Sequence, residues 1–236
     1  MDTAKQLEIL YRISHALVGK QELDDILYQI VTMTGDLIDS KICALMLLNE
    51  ENNTLALKTT QSLSSSYRSK PDVDLCRSIS GDVIKYKTAI QVKNVSLDER
   101  YHFGDIARAE GLESLLSVPM LIGPKAIGVL ICYTEKEKVF DSEEIQLVQT
   151  IANHAAMAIE HMHVIEKEKK ARLSLETKKS VDQAKRILFK NKQMQEEDAH
   201  KLIQRASMEN GKSLKETAEA IILAAGINLE SFIEQK

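Results

Sequence analysis

SVDQAKRIL at residues 180–188, EDAHKLIQRASM at 197–208 and KSLKETAEAIILAA at 212–225 decide how the C-terminal part of this chain is read. Val181, Ala184, Ile187 and Leu188 share one helical face, as do Ala199, Leu202, Ile203 and Ala206, and then Leu214, Ala218, Ile221, Ile222 and Ala225. The repeat is close to 3.6 residues and not 2, so it predicts three amphipathic helices packed as a bundle. Gly211 supplies a left-handed end for the middle helix. Ser213 and Glu216 have the spacing of a capping box at the start of the last helix, and Gly226 is expected to end it. The first break, residues 190–194, is less marked, because Gln195 is a poor N-cap.

Charge separates this stretch from the rest of the chain. Residues 169–215 carry 13 Lys and Arg against 6 Asp and Glu, a net of +7 in a chain whose total is −4. A basic segment in an acidic protein points to a polyanionic partner. The candidate cations are Lys178, Lys179, Lys185, Arg186, Lys190, Lys192, Lys201, Arg205, Lys212 and Lys215; the alternative is a solvated helical face. Aromatics are sparse here, with Phe189 and Phe232. A base-stacking platform of the single-strand-binding kind is therefore not expected, and Phe189 is expected to pack inward.

The three segments together resemble the ANTAR domain, the RNA-binding antiterminator module of bacterial two-component and sensor proteins. Ala184 and Lys185 match the family's Ala-Lys-Gly in the first helix, with Arg186 in place of the glycine. The resemblance implies dimers that bind paired RNA hairpins in leader transcripts and so prevent a terminator from forming. It places Ala184, Lys185 and Arg186 near the hairpin loop, with Arg205, Ser207, Met208 and Lys212 along the same surface. Lys and Arg suit phosphates with a salt-dependent affinity, and Arg also stacks on splayed loop bases.

Upstream, the patterns are mixed. Leu7, Leu10, Tyr11, Ser14 and Leu17 mark a first helix ended at Gly19, and residues 22–40 a second with Leu23, Ile26, Leu27, Ile30, Val31 and Leu37 inward. Asp24 and Asp25 sit at that second helix start, where acids favour the dipole. Ile42–Leu48 and Leu55–Thr60, joined through Asn52 and Asn53, read as a hairpin. The first of these strands is apolar on both faces and is expected to be central and covered on both sides. Residues 61–70 form a polar, Ser-rich loop, residues 76–86 a helix around Gly81, and 89–95 a strand. Two more strands, Leu115–Leu121 and Ala126–Tyr133, flank the turn at 122–125. Asp141 and Glu144 form a second capping box.

Ser80-Gly81-Asp82-Val83, Asn94-Val95, the run 111–120 (GLESLLSVPM) and Ile127-Gly-Val-Leu130 resemble the GAF domain, over about residues 4–165. The resemblance implies an antiparallel sheet with helices on both faces and a small-molecule pocket, with dimerisation through terminal helices. The expected liners are Leu75, Arg77, Ile79, Asn94, Tyr101, Phe103 and Ser117, a few polar groups in an apolar wall. The fold class is thus α+β. A GAF sensor domain, residues 1–165, is joined by a long coiled-coil-like helix to an all-α three-helix ANTAR bundle within residues 166–236.

Other chemistries fit poorly. The Asn-Lys-Phe-Asp-Glu pattern of cyclic-nucleotide-binding relatives is absent. Cys76 is followed by Arg77 and not the His expected beside a bilin-bearing cysteine. Cys43 and Cys132 fall in apolar strands, where a thiol is an inert small hydrophobe, so the cysteine-based reductase branch of GAF proteins is a minor alternative. His154 and His161 stand two turns apart, about 10.5 Å, too far to share an ion. No phosphate loop or nucleophile elbow is present. The expectation is a non-enzyme with no metal and no resident cofactor. No run of 18 apolar residues occurs, and the acid-bearing N-terminus reads as neither signal nor transit peptide. Three cysteines without motif spacing suggest a reducing compartment, and a cytoplasmic protein is expected. Ile145, Val148, Ala152, Ala155, Ile159 and Met162 step by 3 and 4, the spacing of a coiled-coil seam. With no Pro or Gly from 141 to 190, one nearly continuous helix and a homodimer are expected. The alternatives are a monomer whose seam packs on its own sheet, and a bundle that docks a protein or DNA.

Overall fold

The computed structural model describes Tyr11, residues 22–192 and residues 194–233. The expected first helix, apart from Tyr11, lies outside the described residues. The chain divides into two compact units, residues 1–162 and 163–236.

The first unit is built on the strand that is apolar on both faces. β1 (Ile42–Asn49) pairs with β2 (Thr54–Thr60) on one side and β6 (Lys125–Thr134) on the other. With β3 (Val73–Asp74), β4 (Ile90–Val92) and β5 (Ser114–Ile122), these strands form a six-stranded sheet in the order β3-β2-β1-β6-β5-β4, antiparallel at every pairing. Two cores result, one on each face. Cys43, Leu45, Leu116, Val118, Leu130 and Cys132 pack against α1 (Leu23–Ile38) and the start of α5 (Ser142–Lys192). Ile42, Ala44, Met46, Leu115, Val129, Ile131 and Tyr133 face the opposite way, towards Tyr67 of α2 (Ser65–Arg68), Ile79 and Val83 of α3 (Ile79–Tyr86), Val95, and Ala107 of α4 (Gly104–Glu110). The period-2 alternation of side chains produces this split.

Local signals hold where the chemistry is local. The Asp141 N–H donates to Glu144 (3.1 Å) and the Glu144 N–H to Asp141 Oδ1 (2.8 Å), a closed capping box at the start of α5. That helix runs unbroken for 51 residues. The seam expectation needs correction. Val148, Ala152 and Ala155 are fully buried in the first core of their own chain. Steps of 3 and 4 serve an ordinary core helix as well as a coiled coil.

In the second unit, the end of α5 packs with α6 (Glu196–Asn210) and α7 (Leu214–Ile233) around Val181, Ala184, Leu188, Ala199, Ile203 and Ala218. Gly211 ends α6 at φ +61°, and Ser213 and Glu216 close the second capping box. Gly226 does not end α7, which continues to Ile233. A helix-interior glycine costs only about 1 kcal/mol, so it does not compel a stop.

One glycine is dictated by the central pairing. A Cβ on Gly128 would lie 2.2 Å from the Met46 carbonyl oxygen across the β1–β6 ladder, and backbone cannot give way cheaply there. Gly128→Ala is expected to lower unfolding free energy by about 2 kcal/mol or more, read from the midpoint of a urea melt. Gly104→Ala, which meets nothing within 4 Å, should leave the midpoint nearly unchanged.

Candidate ligand pocket and nucleic-acid interface

The second face of the sheet carries a small cavity of about 20 Å³, room for roughly one water molecule. Its wall includes Lys70, Ile79, Tyr101, Phe103, Leu115, Ile131 and Tyr133. Of the expected liners, Ile79, Tyr101 and Phe103 are therefore in place. Leu75 packs half-buried at the edge of the same core. Arg77 is exposed and does not line the cavity; its φ of 58° and its carbonyl, which accepts a 3.0 Å hydrogen bond from His102 Nε2, give it a turn-forming part. Asn94 is not a liner either. Its Nδ2 donates to Glu113 (3.0 Å) and its Oδ1 accepts from the Ser96 N–H (2.9 Å), which fixes the turn after β4. Ser117 is not among the wall residues, but register places it on the face of Leu115 and opposite Ile131. Its hydroxyl is the one buried side-chain polar atom among the described residues without a hydrogen-bond partner.

Nine of the twelve wall residues are not among the expected liners, and three of these, Lys70, Tyr133 and Arg100, set the site's charge and aromatic surface. Lys70 is the one charged side chain among the described residues that is buried, at 9% exposure. It ends the Ser-rich stretch 61–70, which reads as a polar loop over one face of the sheet. The helical turn Ser65–Arg68, capped by the Ser64 hydroxyl, is what carries it inward. Its Nζ donates to the Tyr67 hydroxyl (3.1 Å) and lies 4.2 Å from the Tyr67 ring centroid and 5.8 Å from that of Phe103. Tyr133 stands edge-on to Tyr67 (5.9 Å) and to Tyr101 (6.2 Å). Arg100 is the third. Asp82 (2.9 Å) and Asp98 (2.7 Å) hold its guanidinium. Burial pushes the Tyr67 and Tyr133 phenols well above their ordinary range, so they remain neutral hydroxyls. Burial also lowers the Lys70 ammonium from 10.5 to about 7. Aromatic faces return about 2 kcal/mol or somewhat more to a desolvated cation, against the several kcal/mol that burying an ion costs.

The thiols do not form a reaction centre open to solvent. Cys43 and Cys132 face each other across β1 and β6 with sulfurs 3.7 Å apart, both fully buried, and burial raises the Cys43 thiol well above its usual range. Cys76 is exposed. Among the described residues no group of His, Cys, Asp and Glu is placed to hold a metal, and no helix is long and apolar enough to cross a membrane.

In the helical unit, the expected RNA-contacting residues separate by exposure. Ala184 is fully buried in the bundle core, between Val181 and Leu188, and does not reach the surface. Lys185 bridges Asp182 (2.9 Å) and Glu196 (2.8 Å), tying α5 to the start of α6. Those carboxylates hold its ammonium above the usual lysine range. Ser207 donates from Oγ to the Lys212 carbonyl (2.6 Å), securing the Gly211 turn. Arg186, Arg205 and Lys212 are exposed and make no ion pair among the described residues, and Met208 is 82% exposed. Lys215 is committed to Glu176 (2.7 Å). Phe189, expected inward, is 58% exposed and borders a groove with Arg186 and Glu196. Val181, Ala184 and Leu188 already fill the inward face, and the next position along turns aside.

The first unit thus offers a sheet with a lined cavity on one face, and the second a helical bundle bearing exposed cations. Residues 20–160 match the GAF domain and residues 169–222 the ANTAR domain. The chain belongs to the GAF family, with an ANTAR domain following. Among solved structures it is similar to the GAF domain of an Acinetobacter phosphoenolpyruvate-protein phosphotransferase, at 23% identity over 69% of this chain and 97% of that one (TM-score 0.58). It is also similar to the GAF domain of the Coxiella burnetii phosphotransferase, at 20% over 71% and 99% (0.63). A free methionine-R-sulfoxide reductase from Neisseria meningitidis shares the fold at 17% over 68% and 92% (0.57). A comparison with curated proteins finds no match. GAF and ANTAR domains are regulatory, and the protein is a signal-regulated ANTAR regulator.

Because its folded pKa lies below its unfolded one, Lys70 opposes folding fully below pH 7 and stops doing so as pH rises from 7 towards 10.5. Lys70→Met should therefore stabilise the protein below pH 7 by about 3–5 kcal/mol. The gain should shrink through that window, as measured by urea melts at a series of pH values.

Proposed function

We propose that the protein is a cytoplasmic, signal-responsive antitermination regulator whose ANTAR unit binds paired hairpins in nascent RNA under control of a GAF ligand or partner. The ANTAR match over residues 169–222 carries this reading. It falls on a bundle whose exposed Arg186, Arg205 and Lys212 are not spent on ion pairs among the described residues. Arg186 adds a cation where the family has glycine, directly beside the ion-paired Lys185. RNA approaching Lys185 must compete with Asp182 and Glu196, so the free cations make the larger contribution to affinity. Ala184 acts by letting helices approach closely, not by touching RNA.

A homodimer suits paired hairpins, one bundle to each. Apolar side chains left uncovered in the single chain support it. In the first unit Tyr28 and Met157 are exposed, and in the second Val164, Ile165 and Leu173 are. The buried seam at Val148, Ala152 and Ala155 cannot serve as that interface without opening the sheet core.

The test is a titration of the full chain against RNA with two adjacent short-loop hairpins, one hairpin, and duplex DNA, each at two salt concentrations. Preference for the double hairpin is expected. Equal affinity for duplex DNA, or association indifferent to salt, would point instead to a DNA- or protein-docking bundle. Arg205→Ala with Lys212→Ala should weaken double-hairpin binding and flatten the log–log salt slope by about 2. Ala184→Leu should lower the bundle's stability by about 1–3 kcal/mol through overpacking.

A further inference from the structure

The reading of the first unit as a ligand sensor leaves the chemistry of the ligand open, and Lys70 narrows it. A buried charge in a folded protein is ordinarily paired. Lys70 is the exception among the described residues. It is buried, it forms no ion pair there, and its recorded hydrogen bond goes to the neutral hydroxyl of Tyr67. Arg100, at the same cavity, shows the ordinary arrangement, with a carboxylate on each side. The cavity thus holds one uncompensated cation among neutral phenols. The Ser117 hydroxyl, which has no hydrogen-bond partner, lies on the same sheet face but outside the cavity wall.

We propose that this cavity is a carboxylate site, in which Lys70 is the counter-ion for a short-chain monocarboxylate seated against the sheet face of Tyr133. One cation matches one negative charge. The cavity has room for roughly one water, so an organic anion enters only as the wall moves outward. Ile79, Leu115 and Ile131 offer a short aliphatic tail an apolar surface. The proposal rests on the first unit being the sensory one, and on nothing in the RNA-binding bundle.

The experiment compares acetate with acetamide, its neutral isostere, below pH 7, where Lys70 is charged, at ionic strength matched with sodium chloride. The full chain is followed by thermal melts and calorimetric titration. Acetate should raise the melting temperature saturably and acetamide should not. Lys70→Met removes a buried charge and is expected to fold at least as stably as the parent, so its response reads binding and not unfolding. It should lose about tenfold or more in acetate affinity. Equal effects of acetate and acetamide, or of acetate on the parent and on Lys70→Met, would overturn the carboxylate site while leaving a ligand pocket standing. No acetate effect on the parent would overturn it too. The hairpin titration without additive tests the antitermination reading separately.

Discussion

Everything in the sensory unit depends on the pairing of Ile42–Asn49 with Lys125–Thr134 at the centre of the sheet. These are the strands buried on both faces, and their register decides which residue faces which core. Cys43 stands opposite Cys132 on the helix-covered side, and Ala44 opposite Ile131 on the cavity side. A slip of one residue would exchange the two sets and turn Tyr133 away from the cavity. The close approach at Gly128 helps prevent that slip, because another residue's side chain brought to this position would meet the Met46 carbonyl.

Sequence reading succeeded wherever a signal is local and chemical. Both capping boxes, the left-handed end at Gly211, the central strand and the long helix appear as expected, because each follows from a few neighbouring residues. It went astray where a pattern states a periodicity but not a partner. The steps of 3 and 4 from Ile145 to Met162 describe an apolar stripe, and the stripe packs on its own sheet. Ala184 was carried over as an RNA contact from a family motif, although its place between Val181 and Leu188 already put it on the inward face. In the pocket, Ile79, Tyr101 and Phe103 were legible as apolar residues near turns. Lys70 and Tyr133 were not, since they meet only across the sheet.

The charges of the molecule fall into two kinds. Some cations are held by a carboxylate, and the ones that matter for recognition are those left over. In the helical unit Lys185 and Lys215 are spent on Asp182, Glu196 and Glu176, leaving Arg186, Arg205 and Lys212 outward-facing. In the sensory unit Arg100 is spent and Lys70 is left over. Exposed residual charge steers a polyanion through water and costs little to maintain. Buried residual charge lowers stability and gives back that cost only when an anion arrives.

Among the described residues, the buried core of the helical unit is three aliphatic side chains, Val181, Leu188 and Ile203, and three alanines, Ala184, Ala199 and Ala218, with Leu214, Ile221 and Ile222 packed half-buried against it. Alanines bring backbones close but remove little surface from water, so this unit has a far smaller hydrophobic reserve than the two-faced sheet. Its amide hydrogens will exchange with solvent through openings that leave the sheet intact, as a separate cooperative block. A block so lightly held gains measurably in order when something grips its surface. Protection from exchange in residues 181–218 is therefore a direct gauge of occupancy by the partner.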